Sequence, residues 1–306
     1  LCPCVHLQTL NLVPDLAGVR SFVPEQQAET RIIGGQEAWA HSWPWQVSLR
    51  FASMPACGGA VIGPTWVISA AHCFKRAFRV LLVKLIGLNV SCGRLSGQLV
   101  GVSAIFSHRG YNSRTKDYDI ALLKLQRPLE FGRFVRPIDV WMSALPLLGR
   151  CTVTGWGSTR ENGPRVNRLQ EVNVTILPSD ACNRFYSGRI QNSMFCAGRD
   201  TGGVDACQGD SGGPLSCFNG GRYELAGLVS WGVGCGRARR PGVYTRVQQH
   251  TEWIRDTMSE SPTPAAPTPG RTCSEALVLF PPQTIRMKVL KTRPRLKVGL
   301  SSETVS

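Results

Sequence analysis

No run of about 18 consecutive apolar residues occurs in the 306-residue chain, so no segment reads as a membrane-spanning helix. No Asp or Glu occurs from residue 38 to residue 116, which leaves that stretch without the carboxylate oxygens that calcium demands. Zinc modules need short Cys/His pairs at ligand spacing. Cys2 and Cys4 form the one close cysteine pair, and no second pair follows. Charged residues make up only 18% of the chain and apolar residues 42%, a balance that excludes a solvated, unfolded polyelectrolyte. The chain opens on Leu1 and shows no signal peptide, so the N-terminus of the natural precursor is expected to be missing or already processed.

What is present points to an oxidising compartment. Twelve cysteines are scattered along the chain among 32 glycines, a pattern that predicts disulfides, many tight turns and secretion. The sequons at Asn89 and Asn173 are candidate glycosylation sites in the same compartment. The net charge of +15 has two readings, solubility or attraction to acidic substrates and polyanions.

Composition divides the chain in three. Residues 1–31 are irregular and polar and read as a propeptide or activation segment. Residues 32–258 carry short apolar runs such as Trp66-Val67-Ile68, Ile120 to Leu123 and Leu225 to Trp231, broken by Gly, Pro and Asn. That spacing predicts an all-β barrel or sandwich. Val247, Trp253 and Ile254 fall near helical spacing and predict a terminal helix. Residues 259–306 open with a Pro-rich linker at 261–270 and continue into a tail whose charges from 276 to 302 are all basic. Such a tail reads as disordered and solvated, or as a polyanion-binding arm.

Four motifs carry the chemistry. Ser69-Ala70-Ala71-His72-Cys73 follows a buried run. Asp117-Tyr118-Asp119 sets a carboxylate at the mouth of another. Asp205-Ala206-Cys207-Gln208-Gly209-Asp210-Ser211-Gly212-Gly213-Pro214 is far more specific, and Ser230-Trp231-Gly232 follows about one strand later. A serine hydroxyl is a poor nucleophile near neutral pH unless a base such as imidazole takes its proton. Read together, the motifs over 32–258 resemble the chymotrypsin/trypsin family of serine endopeptidases, in the chain order His, Asp, Ser. The resemblance implies two antiparallel six-stranded β-barrels packed together, with a C-terminal helix and no cofactor or metal. It implies His72 as base, Asp119 as its orienting partner, Ser211 as nucleophile, and the N–H groups of Gly209 and Ser211 as an oxyanion hole.

The same resemblance puts Asp205 at the floor of the primary substrate pocket. Gly232 and Gly242 become its walls, and Ser230, Trp231 and Gly232 the edge along which substrate backbone pairs. A buried carboxylate needs a cation, which implies protein or peptide substrates cut after Arg or Lys. Ala206 removes a hydroxyl from the floor and tilts the expectation toward Arg, whose planar fork pairs with Asp205 directly. Arg31-Ile32-Ile33-Gly34-Gly35 resembles the family's activation site, where the freed Ile32 amine pairs with Asp210. Carried over by position, the disulfides are Cys57–Cys73, Cys151–Cys217, Cys182–Cys196 and Cys207–Cys235. Cys2, Cys4, Cys92 and Cys273 remain unassigned.

Departures sharpen the expectations. Asp139 stands where relatives carry a cysteine that tethers the propeptide, so residues 1–31 are expected to leave after cleavage unless Cys2 or Cys4 finds Cys92 or Cys273. The apolar stretch Phe78 to Leu99 lacks the acidic loop of calcium-binding relatives. Pro241 replaces the aromatic residue of sodium-activated ones. Residues 136–141 and the tail resemble the multidomain ovochymase branch. Arg237, Arg239 and Arg240 read either as a rim favouring acidic flanking residues or as a solvated loop. Protein protease inhibitors are expected partners and nucleic acids are not. The alternative to an enzyme is a binding module on the same fold.

Overall fold

The computed structural model describes residues 16–21, 35–51, 54–75, 81–85, 98–147, 149–199, 201–203 and 205–260. After the short strand β1 (Gln36–Glu37), six antiparallel strands follow: β2 (Gln46–Phe51), β3 (Met54–Gly63), β4 (Trp66–Ser69), β5 (Leu81–Leu85), β6 (Leu99–Ser107) and β7 (Ala121–Leu125). They close into a barrel in the order β2-β3-β4-β7-β6-β5. The apolar, carboxylate-free stretch thus supplies β5, which pairs with both β2 and β6 and completes the closure.

A second set comprises β9 (Arg150–Gly155), β10 (Gln170–Ile176), β11 (Met194–Gly198), β12 (Pro214–Phe218), β13 (Tyr223–Trp231) and β14 (Gly242–Arg246). The sheet runs β10-β11-β14-β13-β12-β9, and β9 also pairs with β10, so this sheet curls into a second ring. Strand β1 pairs with β10, and β8 (Asp139–Val140) lies parallel to β13. The expected all-β, two-barrel architecture is therefore the one observed.

The two rings meet along a polar seam. Trp45 Nε1 donates to Ser216 Oγ at 3.2 Å, and Thr154 Oγ1 donates to Gln46 Oε1 at 2.5 Å. All four residues are buried, so the paired donors and acceptors fix register without orphaned polar groups. Around the seam, Val47, Leu49, Val61, Ile68, Leu122 and Leu123 are fully buried in the first barrel. Each such side chain stabilises the fold by about 1.5–3 kcal/mol.

The predicted terminal helix divides in two. A 3-10 turn at Val247–His250 precedes α2 (Thr251–Glu260), the tighter turn being a common way for an α-helix to begin. Its Ile254 packs in the same core as the first barrel, with Trp253 and Met258 against it. The helix thus returns from the second barrel to clamp the first.

The four cysteine pairs carried over from the family are bonded in the structure. Cys151 and Cys217 are register partners on β9 and β12. Cys182, in α1 (Ser179–Phe185), is joined to Cys196 of β11. Cys2, Cys4, Cys92 and Cys273 lie outside the described residues, as do Asn89 and the basic tail. Asn173 is exposed on β10, its Oδ1 accepting from Thr152 Oγ1 at 2.9 Å.

Candidate active site

His72 follows β4, in the 3-10 turn Ala71–Phe74, and Asp119 stands just ahead of β7. Because β4 and β7 pair antiparallel through Ser69 and Ala121, the two side chains meet at one end of the barrel. Asp119 Oδ2 lies 2.7 Å from His72 Nδ1, and Asp119 Oδ1 accepts the His72 backbone N–H at 2.8 Å. The carboxylate is almost fully buried at 1% exposure, while the His72 side chain keeps partial access. Two further groups hold Asp119. Ser230 Oγ donates to Oδ2 at 2.5 Å, and Thr245 Oγ1 donates to the backbone carbonyl at 2.8 Å. Neither bond is legible in the sequence, where Ser230 points only to the substrate edge and Thr245 carries no motif.

The Ser211 loop is pinned by backbone to β3 of the first barrel and β13 of the second. Gly58 N donates to Ser211 O at 2.8 Å, and Gly212 N to Val229 O at 2.8 Å. Gly212 sits at φ +75°, and a Cβ there would fall 2.2 Å from Ser69 Oγ. A residue with a side chain fits neither that conformation nor that space. Among the described residues, no backbone carbonyl accepts from the N–H of Gly209 or of Ser211. Asp210, between them, is buried and accepts from Gly157 N at 2.7 Å and Cys207 N at 2.9 Å. Burial pushes its carboxyl pKa up, against those two donors. Arg31 and Ile32 lie outside the described residues.

Beside Ser211 a cavity of about 190 Å³ is lined by Asp205, Ala206, Ser230, Trp231, Gly232 and Gly242, among others. Asp205 is 3% exposed. Its Oδ2 accepts from Gly236 N at 3.2 Å, whereas Oδ1 is buried without a partner among the described residues. Burial is the main cause that raises its pKa to about 7. Nearby N–H groups oppose the shift, and the Asp210 charge adds to it. A Cβ on Gly242 would lie 2.5 Å from Asp205 Oδ1, so the missing side chain keeps the floor open. A Cβ on Gly232 would meet nothing closer than Gly234 O at 3.8 Å. The buried Tyr244 hydroxyl, also without a partner among the described residues, belongs to a lining residue that the sequence does not single out.

Two further details bear on the site. Arg237, which the sequence leaves open as a rim charge or as part of a solvated loop, is held by Glu161 through Nε at 2.8 Å and a second, shorter contact. Arg240 donates to Phe185 O at 2.6 Å and stands over the Tyr186 ring. Cys57, His72 and Cys73 bring potential metal ligands together, but the two sulfurs are joined in a disulfide and supply no thiolate.

Residues 32–254 match the model of the Trypsin family. Transmembrane protease serine 9 of Rattus norvegicus is 42% identical over 258 residues, covering 80% of this chain but only 24% of that protein. Trypsin-2 of Salmo salar is 42% identical over 231 residues, covering 76% of this chain and 96% of that protein. Trypsin-1 of the same species is 42% identical over 231 residues, with 92% of it covered. The chain thus spans about a quarter of the rat protein's length and nearly all of the two trypsins. No helix among the described residues is long and apolar enough to cross a membrane. With the family's pattern matched over most of its length, on a two-barrel fold bearing a buried Asp119–His72 pair, this chain belongs to the trypsin family of serine-type endopeptidases.

Proposed function

We propose that the chain is a secreted endopeptidase that cleaves after Arg, and less readily after Lys, once the bond following Arg31 has been cut. One observation carries the specificity: Asp205 is buried at the cavity beside Ser211 with Oδ1 unpartnered. A carboxylate so placed is costly to ionise alone, and a guanidinium entering the cavity relieves that cost with two charge-assisted bonds. Lys, a point charge on a flexible stem, relies on additional oxygen donors near the floor, and Ala206 supplies none from its side chain.

In this reading His72 takes the Ser211 proton as the hydroxyl attacks the scissile carbonyl, then delivers it to the leaving amine. Asp119 fixes the Nδ1–H tautomer and stabilises the imidazolium. The Gly209 and Ser211 N–H groups receive the oxyanion, a role supported by the absence of a backbone acceptor for either among the described residues; losing one such donor costs about 3 kcal/mol. Water then releases the acyl group by the same proton relay in reverse. The freed Ile32 amine, charged near neutral pH, would meet the buried Asp210 carboxylate. The four disulfides support an extracellular setting.

The test is to produce the full chain, cut it after Arg31, and compare amide substrates ending in Arg, Lys and Phe, with Ser211→Ala as control. Arg is expected to be hydrolysed fastest. Absence of hydrolysis from correctly cut, disulfide-bonded protein would sink the proposed roles of the triad, and faster cleavage after Phe would sink the role of Asp205. Retention on heparin with and without residues 271–306 tests the polyanion reading of the tail.

A further inference from the structure

Residues 16–21 are docked on the protease domain, although the sequence leads one to expect residues 1–31 to depart once cut unless Cys2 or Cys4 pairs with Cys92 or Cys273. The Gly18 N–H donates to Pro137 O at 2.9 Å, and Gly18 O accepts the Tyr223 N–H at 2.8 Å. Gly18 has φ +71°, and a Cβ there would fall 1.9 Å from Tyr223 O, so glycine alone allows this approach. Arg136 donates to Val19 O at 3.1 Å, and Ser21 Oγ bonds Arg133 O. Ala17 is 6% exposed.

Arg20 is the anchor. Its guanidinium stands 4.2 Å above the Trp43 ring, donates to Ser42 O at 3.2 Å, and pairs with Glu171 Oε2 at 3.3 Å, with the side chain only 10% exposed. Glu171 is equally sheltered and serves as a hub. Trp43 Nε1 donates to its Oε2 at 2.6 Å, and Gln36 Nε2 to its Oε1 at 2.8 Å. Arg20 is its one ion-pair partner among the described residues. A strongly buried, ring-stacked arginine is not the behaviour of a solvated leader.

All of these partners lie beyond residue 31, at Ser42, Trp43, Arg133, Arg136, Pro137, Glu171 and Tyr223. Cutting the chain after Arg31 therefore removes none of the contacts. If the segment left, Glu171 would lose both this cation and the cover that Arg20 gives it. We propose that residues 16–21 form a noncovalent anchor, which keeps the 1–31 fragment bound to the protease domain after activation. The anchor would take over the task of the missing cysteine tether at Asp139. The consequence for activation rests on the Arg31 reading above; the docking itself does not.

The experiment separates the two. In the full chain bearing Ser211→Ala, Cys2→Ser and Cys4→Ser, residues 27–31 are replaced by an enteropeptidase recognition sequence and the chain is cut there. Gel filtration without denaturant, followed by mass spectrometry, then shows whether the fragment travels with the rest. Because the cut is artificial and no cysteine remains in the fragment, the natural activation point and any disulfide tether do not enter. Retention at micromolar protein is expected, and a synthetic peptide of residues 15–22 should displace the fragment. The same peptide with Arg20→Ala should compete at least about tenfold less well. Changing the peptide leaves the protein fold untouched. A fragment that elutes free, or an Arg20→Ala peptide that competes as well as the parent, overturns the proposal.

Discussion

Ser230 Oγ donates to Asp119 Oδ2 across 2.5 Å, and that same oxygen lies 2.7 Å from His72 Nδ1. Strand β13 of one barrel thus steadies a carboxylate presented by the other. Ser230→Ala removes one of the donors holding that oxygen and leaves both His72 contacts. The expected result is a fall in kcat of about tenfold, or ~1.4 kcal/mol, with little change in thermal stability. An unchanged kcat in steady-state assays would show that Asp119 is oriented without the help of Ser230.

Asp205 makes the free protein pH-sensitive. Its pKa is raised by burial to about 7 from 3.8, so folding favours the protonated form. The stabilising contribution is complete below about pH 4 and is lost as pH climbs to about 7, an effect of up to roughly 4 kcal/mol. A bound cation opposes that shift. The affinity of benzamidine, a small cation, should therefore rise with pH up to about 7 and level off above it. Binding near pH 6 should release a proton. Calorimetry in two buffers of different ionisation enthalpy measures that release. Asp205→Asn should abolish the pH dependence and cleavage after Arg together.

Ala206→Ser restores a hydroxyl to the lining of the cavity. Lys substrates should gain more than Arg substrates, narrowing the Arg-to-Lys ratio of kcat/KM by about three- to tenfold. A ratio that widens would contradict the role given to Ala206.

Gly212→Ala places a methyl 2.2 Å from Ser69 Oγ at a φ of +75°. A loss of about 3 kcal/mol in urea denaturation is expected, with activity falling alongside. Gly188 offers the control: it has a similar φ of +75° but open space around its Cβ, so Gly188→Ala should cost distinctly less.

Arg237 is engaged by Glu161 rather than free. Arg237→Ala should therefore alter the relative kcat/KM for substrates with acidic flanking residues by less than about twofold, since an exposed pair contributes little. A larger change in a peptide-library profile would restore the rim reading.

Much of this protein is legible in its residue order. Short apolar runs separated by Gly and Pro encode strands, because alternating burial and turn chemistry are local properties. The segment around Ser211 identifies the family because its glycines and acids each meet a specific backbone demand. The bonds from Ser230 and Thr245 to Asp119 are not legible there, since these residues are 111 and 126 positions away and reach it only when the two barrels pack. The same holds for Arg20 and Glu171, separated by 151 positions. In sequence, Arg20 is one basic residue in an irregular leader. Only the fold, by bringing Trp43, Glu171 and Tyr223 together, turns it into a buried anchor. Sequence alone determined which chemistry the chain carries, because reactive groups are residue types. Tertiary structure decided which side chains hold those groups in place, because burial and hydrogen-bond distance arise from packing between segments far apart in the chain.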